Sequence, residues 1–225
     1  MSSVITNQSI LHAVNANGLN SKTINYGYYP FIKGNEAPLF HLHKQDGISN
    51  RFTAGSLGNE LVFSLEDLLD FQHPLVICFY PLENSKPANL QGLESLQADV
   101  EIMGGKLLVL TNAPVKKFKR RIRQQNKLTI FYDRDNEIAE AFGVYDAENP
   151  LWQWVSGVEN EEATLPAFYV ISPDRQIGFH HIDYGFETYQ AENEVTKHPF
   201  VRELLTAVYQ SAKQYAYPSC YKSVS

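Results

Sequence analysis

The residues of this chain with chemical potential are few: two cysteines, Cys78 and Cys220, two close histidine pairs, and a hydroxyl, Ser85, in a loop between an apolar run and a helical pattern. Thiol chemistry requires a thiolate, and so a cysteine in an electropositive, accessible setting. Cys78 lies inside the apolar run "PLVICFY", which predicts an inert buried thiol. Cys220 lies in "YPSCYKS", five residues from the end, where a free exposed tail thiol is expected. Two cysteines do not make a disulfide framework. His41 and His43 share one face of a strand pattern, and His180 and His181 are adjacent in another. A His-x-His pair falls short of a metal site, so these read as strand histidines. Asp183 would complete a site only if its segment lay near the first strand. No metal and no cofactor is expected.

Two further stretches carry chemistry of a weaker kind. "KKFKRRIR" (residues 116–123) turns Phe118 and Ile122 one way and bases the other, the pattern of a solvated helix face open to a local anionic contact. The formal charge of −6 argues against general nucleic-acid affinity. "NPLWQWVSGVENEE" (residues 149–162) holds Trp152 and Trp154, the only tryptophans, as a ligand wall or as a cap over the core or a dimer contact.

The elements that must position these residues follow from periodicity. Residues 74–80 form a continuous apolar run, the mark of a central strand covered on both faces. Leu90, Leu93, Leu96 and Val100 recur at helical spacing, and the helix should stop near Gly104 and Gly105. Residues 106–111 and 128–133 read as further strands, separated by an amphipathic helix begun after Pro114 with Val115, Phe118 and Ile122 on one stripe. Residues 37–47 alternate and end in a Lys-Gln-Asp-Gly turn, which predicts a strand. Ser64 with Asp67 predicts a helix start. "NEIAEAFGVY" predicts a short helix closed by Gly143. "AFYVISPDRQIGFHHID" predicts a hairpin, and Pro199 to Tyr215 a helix with Phe200, Leu204, Val208 and Ala212 on one stripe.

Strand–helix–strand–helix–strand, then a hairpin and a helix, makes an α/β layered domain with parallel central strands and antiparallel strands at one side. Residues 1–33 read as an N-terminal arm, 34–198 as the domain, and 199–225 as a helix and tail packed on it. With 44% hydrophobic residues the chain can bury a sizeable core. No apolar run approaches the roughly 20 residues of a spanning helix, so no membrane association is expected. The opening "MSSVITNQSILHAV" shows no charged n-region and no long apolar h-region, which predicts a cytoplasmic protein.

Several blocks together resemble one family. "GNEAPLFHLHKQDG" is similar to the G-x-x-A-P-x-F-x-L…D-G opening of the peroxiredoxins, the AhpC/TSA or redoxin family. "PLVICFYPLENS" resembles their F-Y-P-x-x-x-T-x-x-C-x-x-E junction, and "LPAFYVISPDRQI" their late hairpin. The resemblance spans about residues 34–183. It implies a thioredoxin-like fold with a central mixed sheet flanked by helices, and an antioxidant oxidoreductase that commonly pairs as a homodimer through a sheet edge or pocket loops.

Carried over residue by residue, the motif proline is Pro81, the threonine position is Ser85, the peroxidatic cysteine position is Ala88 and the glutamate position is Gln91. The family's arginine before the late strand falls on Pro166, which instead resembles the proline, usually cis, of thioredoxins. A peroxidase of this type needs a thiolate stabilised by a helix N-terminus and a cation. Ala88 has no nucleophile, and Ser85 has no base near it in sequence. The helix start can still bind an anion or a small polar ligand. Tyr80, Ser85, Asn89, Trp152 and Trp154 are its candidate lining. Two readings follow: a non-catalytic or ligand-binding relative, and a thiol-dependent oxidoreductase acting through Cys220 or a partner protein.

Overall fold

The computed structural model describes residues 28–48, 61–69, 73–82, 87–113, 128–153, 155, 158, 160–190 and 195–216. Ser85, Trp154, Cys220, the basic run 116–123 and the helix expected after Pro114 lie outside the described residues.

The strands are β1 (His41–His43), β2 (Gly47–Ile48), β3 (Val62–Ser64), β4 (Leu75–Phe79), β5 (Lys106–Thr111), β6 (Ile130–Tyr132), β7 (Ala167–Ile171) and β8 (Ile177–Ile182). The α-helices are α1 (Leu65–Leu68), α2 (Pro87–Ile102), α3 (Glu137–Ala141), α4 (Glu187–Gln190) and α5 (Pro199–Ala216). Six strands form one mixed sheet in the order β2-β6-β5-β4-β7-β8, while β1 and β3 pair separately. β4 runs parallel to β5 and antiparallel to β7. Its five residues are all buried, as a strand covered on both faces requires.

Alternation along β4 divides the core. Leu75, Ile77 and Phe79 join a cluster with Tyr169, Phe142 and Leu65, whereas Val76, Cys78 and Tyr80 join one with Leu93, Leu96, Val100, Leu204 and Val208. The second cluster is the joint interface of α2 and α5 with the sheet. Proline at the first position of α2 has no N–H to leave unpaired there. The helix stops where Gly104 takes φ +85° and Gly105 N–H donates to the Val100 carbonyl at 2.9 Å. Ser64 caps α1 in a reciprocal capping box with Asp67.

Gly143 closes α3 with φ +71°, and a Cβ there would come within 2.2 Å of the Tyr29 carbonyl oxygen. That close approach seats the end of the N-terminal arm. Phe31 N–H donates to the Phe142 carbonyl at 3.1 Å, and Tyr28 is buried.

The single strand expected over residues 37–47 is interrupted. A 3-10 turn over Lys44–Asp46 separates β1 from β2 and sends them to different sheets. Asp46 is held there by Arg134, 3.0 Å away and just past β6. Such a contact across 88 residues leaves no local trace in the sequence.

Candidate functional site

The junction of β4 and α2 is built from the sheet outward. Phe79 pairs with Ala167 across β4 and β7, so Tyr80 and Pro81 on one strand end face the start of the next strand at Pro166. Pro81 and Pro166 are both buried. Among the described residues no peptide bond is cis, so the cis proline suggested by the thioredoxin resemblance is corrected to trans at Pro166. The Pro166 carbonyl accepts the Asp183 N–H at 2.9 Å, tying this end of β7 to the end of β8.

Tyr80 and Asn89, expected to line a pocket, are 0% and 3% exposed and bond to each other inside the molecule. Asn89 Nδ2 donates to the Tyr80 hydroxyl at 3.0 Å, and that hydroxyl donates to the Thr188 carbonyl at 3.0 Å. Asp183 sets Thr188 in place by accepting its N–H at 2.7 Å and its hydroxyl at 2.5 Å, along with the Glu187 N–H at 2.9 Å. Asp183 thus serves as the cap of α4. The first turn of α2, which contains Ala88, is fastened to β4 and α4 through neutral hydrogen bonds. Gln91, one turn on, is exposed.

The described strand histidines and the thiol lie on β1, β8 and β4. His41 and His43 are exposed on one side of β1, with Leu42 buried between them. His180 Nδ1 accepts the Lys33 N–H at 3.1 Å, and His181 stacks on Phe200 with centroids 4.0 Å apart and a 7° interplanar angle. Burial lowers the pKa of both. Among the described residues no three His, Cys, Asp or Glu side chains are grouped to hold a metal ion. Cys78 is fully buried, and burial pushes its thiol well above its ordinary value, so it stays a neutral thiol. Trp152 sits in a 3-10 turn (Leu151–Gln153), exposed, while its neighbour Leu151 anchors the turn in the core.

Sequence reasoning missed a group of buried polar residues at the carboxyl ends of β5 and β6. Thr111 Oγ1 accepts from Leu82 N–H at 3.3 Å, joining β5 to the Pro81 loop. Asn112 and Asn136 both donate through Nδ2 to one acceptor, the Glu162 carbonyl, at 2.5 and 3.2 Å. Their shared partner is invisible in sequence, since the two asparagines and Glu162 belong to three separate segments. Asn136 also takes φ +57°, a left-handed backbone that asparagine tolerates.

Asp133 belongs to the same end of the sheet and caps α3, accepting Ile138 N–H at 3.0 Å and Ala139 N–H at 2.8 Å. Burial raises its pKa to about 6, against the pull of those two bonds. The folded value lies above the unfolded one, so the native state holds the proton more tightly between the two. The stabilisation from this group is full below the unfolded value, near 3.8, and is lost as pH rises through about 6. Asp133→Asn removes that slope: between about pH 4 and 7 the wild-type thermal midpoint falls relative to the variant's. Parallel pH profiles of the two proteins would contradict this assignment.

Among the described residues no helix is long and apolar enough to cross a membrane. A family model described as AhpC/TSA family matches residues 34–180. Among solved structures the chain is similar to a reduced 2-Cys peroxiredoxin of Plasmodium vivax, at 14% identity and TM-score 0.55, over 86% of this chain and 90% of that one. It is similar to the mitochondrial 2-Cys peroxiredoxin of Plasmodium falciparum, at 13% identity and TM-score 0.56, over 85% and 100% of the two chains. It is also similar to AhpC of Enterococcus faecalis, at 16% identity and TM-score 0.54, over 87% and 100%. At these identities the likeness establishes the thioredoxin-like fold of the peroxiredoxins. No curated protein matches the sequence.

Proposed function

Since this chain belongs to the AhpC/TSA family, we propose that it is a peroxiredoxin-like protein that has left peroxide chemistry and binds a small or anionic ligand at the start of α2. One observation carries the reading. Position 88, where the family motif would place the peroxidatic thiol, is an alanine in the first turn of α2, at the end of β4. The turn itself is kept in order by the Asn89–Tyr80–Thr188 hydrogen bonds. A preserved helix start without its nucleophile supports binding, because the first N–H groups of a helix favour an anionic or polar group. Gln91 and Trp152, both exposed, are assigned to the surroundings of that ligand; Ser85 and Trp154, expected there from the sequence, lie outside the described residues. Pro166 stands where an arginine would favour an anion, so the backbone supplies the positive end.

The competing reading is a thiol-dependent oxidoreductase working through Cys220 or a partner's thiol. It is favoured by the burial of Cys78, since Cys220 is the other cysteine of the sequence. Peroxide consumption by the purified protein with a thiol reductant separates the two: the binding reading expects none above the rate of a free thiol.

The proposal extends to a cytoplasmic homodimer in which the arm 1–33 and the helix and tail 199–225 belong to the same unit as the domain 34–198. β8 is the last strand of the six-stranded sheet, and the arm bonds to it through the Lys33 N–H, which donates to His180 Nδ1 at 3.1 Å. Apolar groups stand exposed nearby in sequence to these elements, among them Tyr29 at 72%. Such surface is what a second copy would cover. Light scattering at micromolar concentration is expected to give twice the chain mass of 25.6 kDa, and a monomeric mass would count against the dimer.

A further inference from the structure

Residues 160–164 lie between the exposed turn at Trp152 and β7. Glu162 N–H donates to Asn160 Oδ1 at 3.0 Å and Ala163 N–H to the Asn160 carbonyl at 3.2 Å, so the segment is a self-bonded turn. Beyond it Leu165 is fully buried and its N–H donates to the Val144 carbonyl at 2.9 Å, a firm anchor. The turn is fastened to the carboxyl ends of β5 and β6 by the two asparagine amides that meet on the Glu162 carbonyl.

Those amides are bonded on one side only. Asn112 and Asn136 are 5% and 3% exposed, and the Oδ1 of each is buried without a hydrogen-bond partner. The orientation of both amides is set, because exchanging N and O would point each oxygen at a carbonyl oxygen. Two desolvated acceptors at one place are unusual, and each is penalised by about as much as a hydrogen bond contributes, or more. Releasing Glu162 breaks two hydrogen bonds and lets water reach both oxygens. The two effects oppose each other.

We propose that residues 160–164 are a strap, latched through Glu162 to Asn112 and Asn136, that opens locally without unfolding the sheet. Opening presents two acceptor oxygens at the carboxyl ends of β5 and β6, where open α/β sheets receive ligands. The opened place adjoins the Pro81 loop, since Thr111, next to Asn112, bonds Leu82. The strap is therefore the element through which ligand access to the junction of β4 and α2 would be controlled.

Native-state hydrogen exchange on the full chain tests the strap directly. In the wild type, amides of residues 160–164 should exchange through an opening insensitive to low denaturant, while β4 amides follow global unfolding. Exchange of the strap amides with the global denaturant slope would overturn the proposal. Asn112→Asp replaces the donor by a second acceptor facing the Glu162 carbonyl. At neutral pH it should speed strap exchange at least roughly tenfold, with acid reversing the effect as the carboxyl regains a donor. Asn112→Leu removes the hydrogen bond and the orphaned oxygen together, so its effect should be clearly smaller. Equal effects of Asp and Leu, or none from Asp, would also overturn it. If the Asp variant does not fold, the wild-type denaturant slope decides.

Discussion

Hydrogen peroxide should survive incubation with the purified protein and a thiol reductant as long as it survives with a simple free thiol at the same concentration, and Cys220→Ser should leave that rate unchanged. Peroxide reduction of the peroxiredoxin kind begins with a thiolate sulfur attacking an oxygen and ends in a sulfenic acid. Ala88 holds no sulfur. Cys78 is buried at the centre of the sheet with its thiol pushed up by desolvation, so neither the thiolate nor peroxide access is available there. Ala88→Cys would restore the nucleophile at the start of a helix, whose dipole stabilises a charge by about 1 kcal/mol at most exposed sites. Since about 1.36 kcal/mol is one pKa unit, the thiolate population would rise by less than about tenfold over an ordinary cysteine. Pro166 supplies no guanidinium to do more. The expected gain for Ala88→Cys is therefore small. Robust turnover by the wild type, abolished in Cys220→Ser, would establish the oxidoreductase reading instead.

Phe142→Ala should be the most damaging single truncation in the core. The side chain is fully buried, and its ring lies 5.0 Å from Tyr169, 5.2 Å from Phe79, 6.2 Å from Phe40 and 6.3 Å from Phe31. Through these rings it joins β4, β7, the segment before β1 and the N-terminal arm. Truncating a buried phenylalanine to alanine costs about 3–5 kcal/mol, from lost transfer energy and the cavity left behind. At about 2–4 °C per kcal/mol for a chain of this size, the thermal midpoint should fall by roughly 6–20 °C. Tyr169→Phe is the matched control. The Tyr169 hydroxyl is buried without a partner, and burial raises its pKa, so removing the oxygen should be neutral or stabilising. Denaturant midpoints measured on both variants check the pair; a loss below about 1 kcal/mol for Phe142→Ala would show that the cluster repacks around the gap.

Much of the architecture was legible in the sequence because its signals are local. The run 74–80 contains β4 (Leu75–Phe79), and the helical spacing of Leu93, Leu96 and Val100 lies on the buried face of α2. Ser64 with Asp67 makes a capping box, and Gly104 and Gly143 take the positive φ that stops a helix. Periodicity, caps and left-handed glycines are properties of a few neighbouring residues, and the resemblance in ordered motifs supplied the rest of the fold. It also supplied Ala88 and Pro166 as the positions to compare.

What those positions touch was decided by tertiary structure. The register of β4 against β7 brings Pro81 and Pro166 to the same edge. Tyr80 and Asn89 flank the motif loop and so suggest pocket lining, yet both are buried: the Thr188 carbonyl of α4 accepts the Tyr80 hydroxyl, and Asn89 donates to that hydroxyl. The strand expected over residues 37–47 broke into a turn held by Arg134. The strap depends on Asn112, Asn136 and Glu162, which converge only when β5, β6 and the segment before β7 are assembled. A hydrogen bond between distant segments constrains geometry without constraining the local pattern of apolar and polar residues, so nothing short of the folded chain displays it.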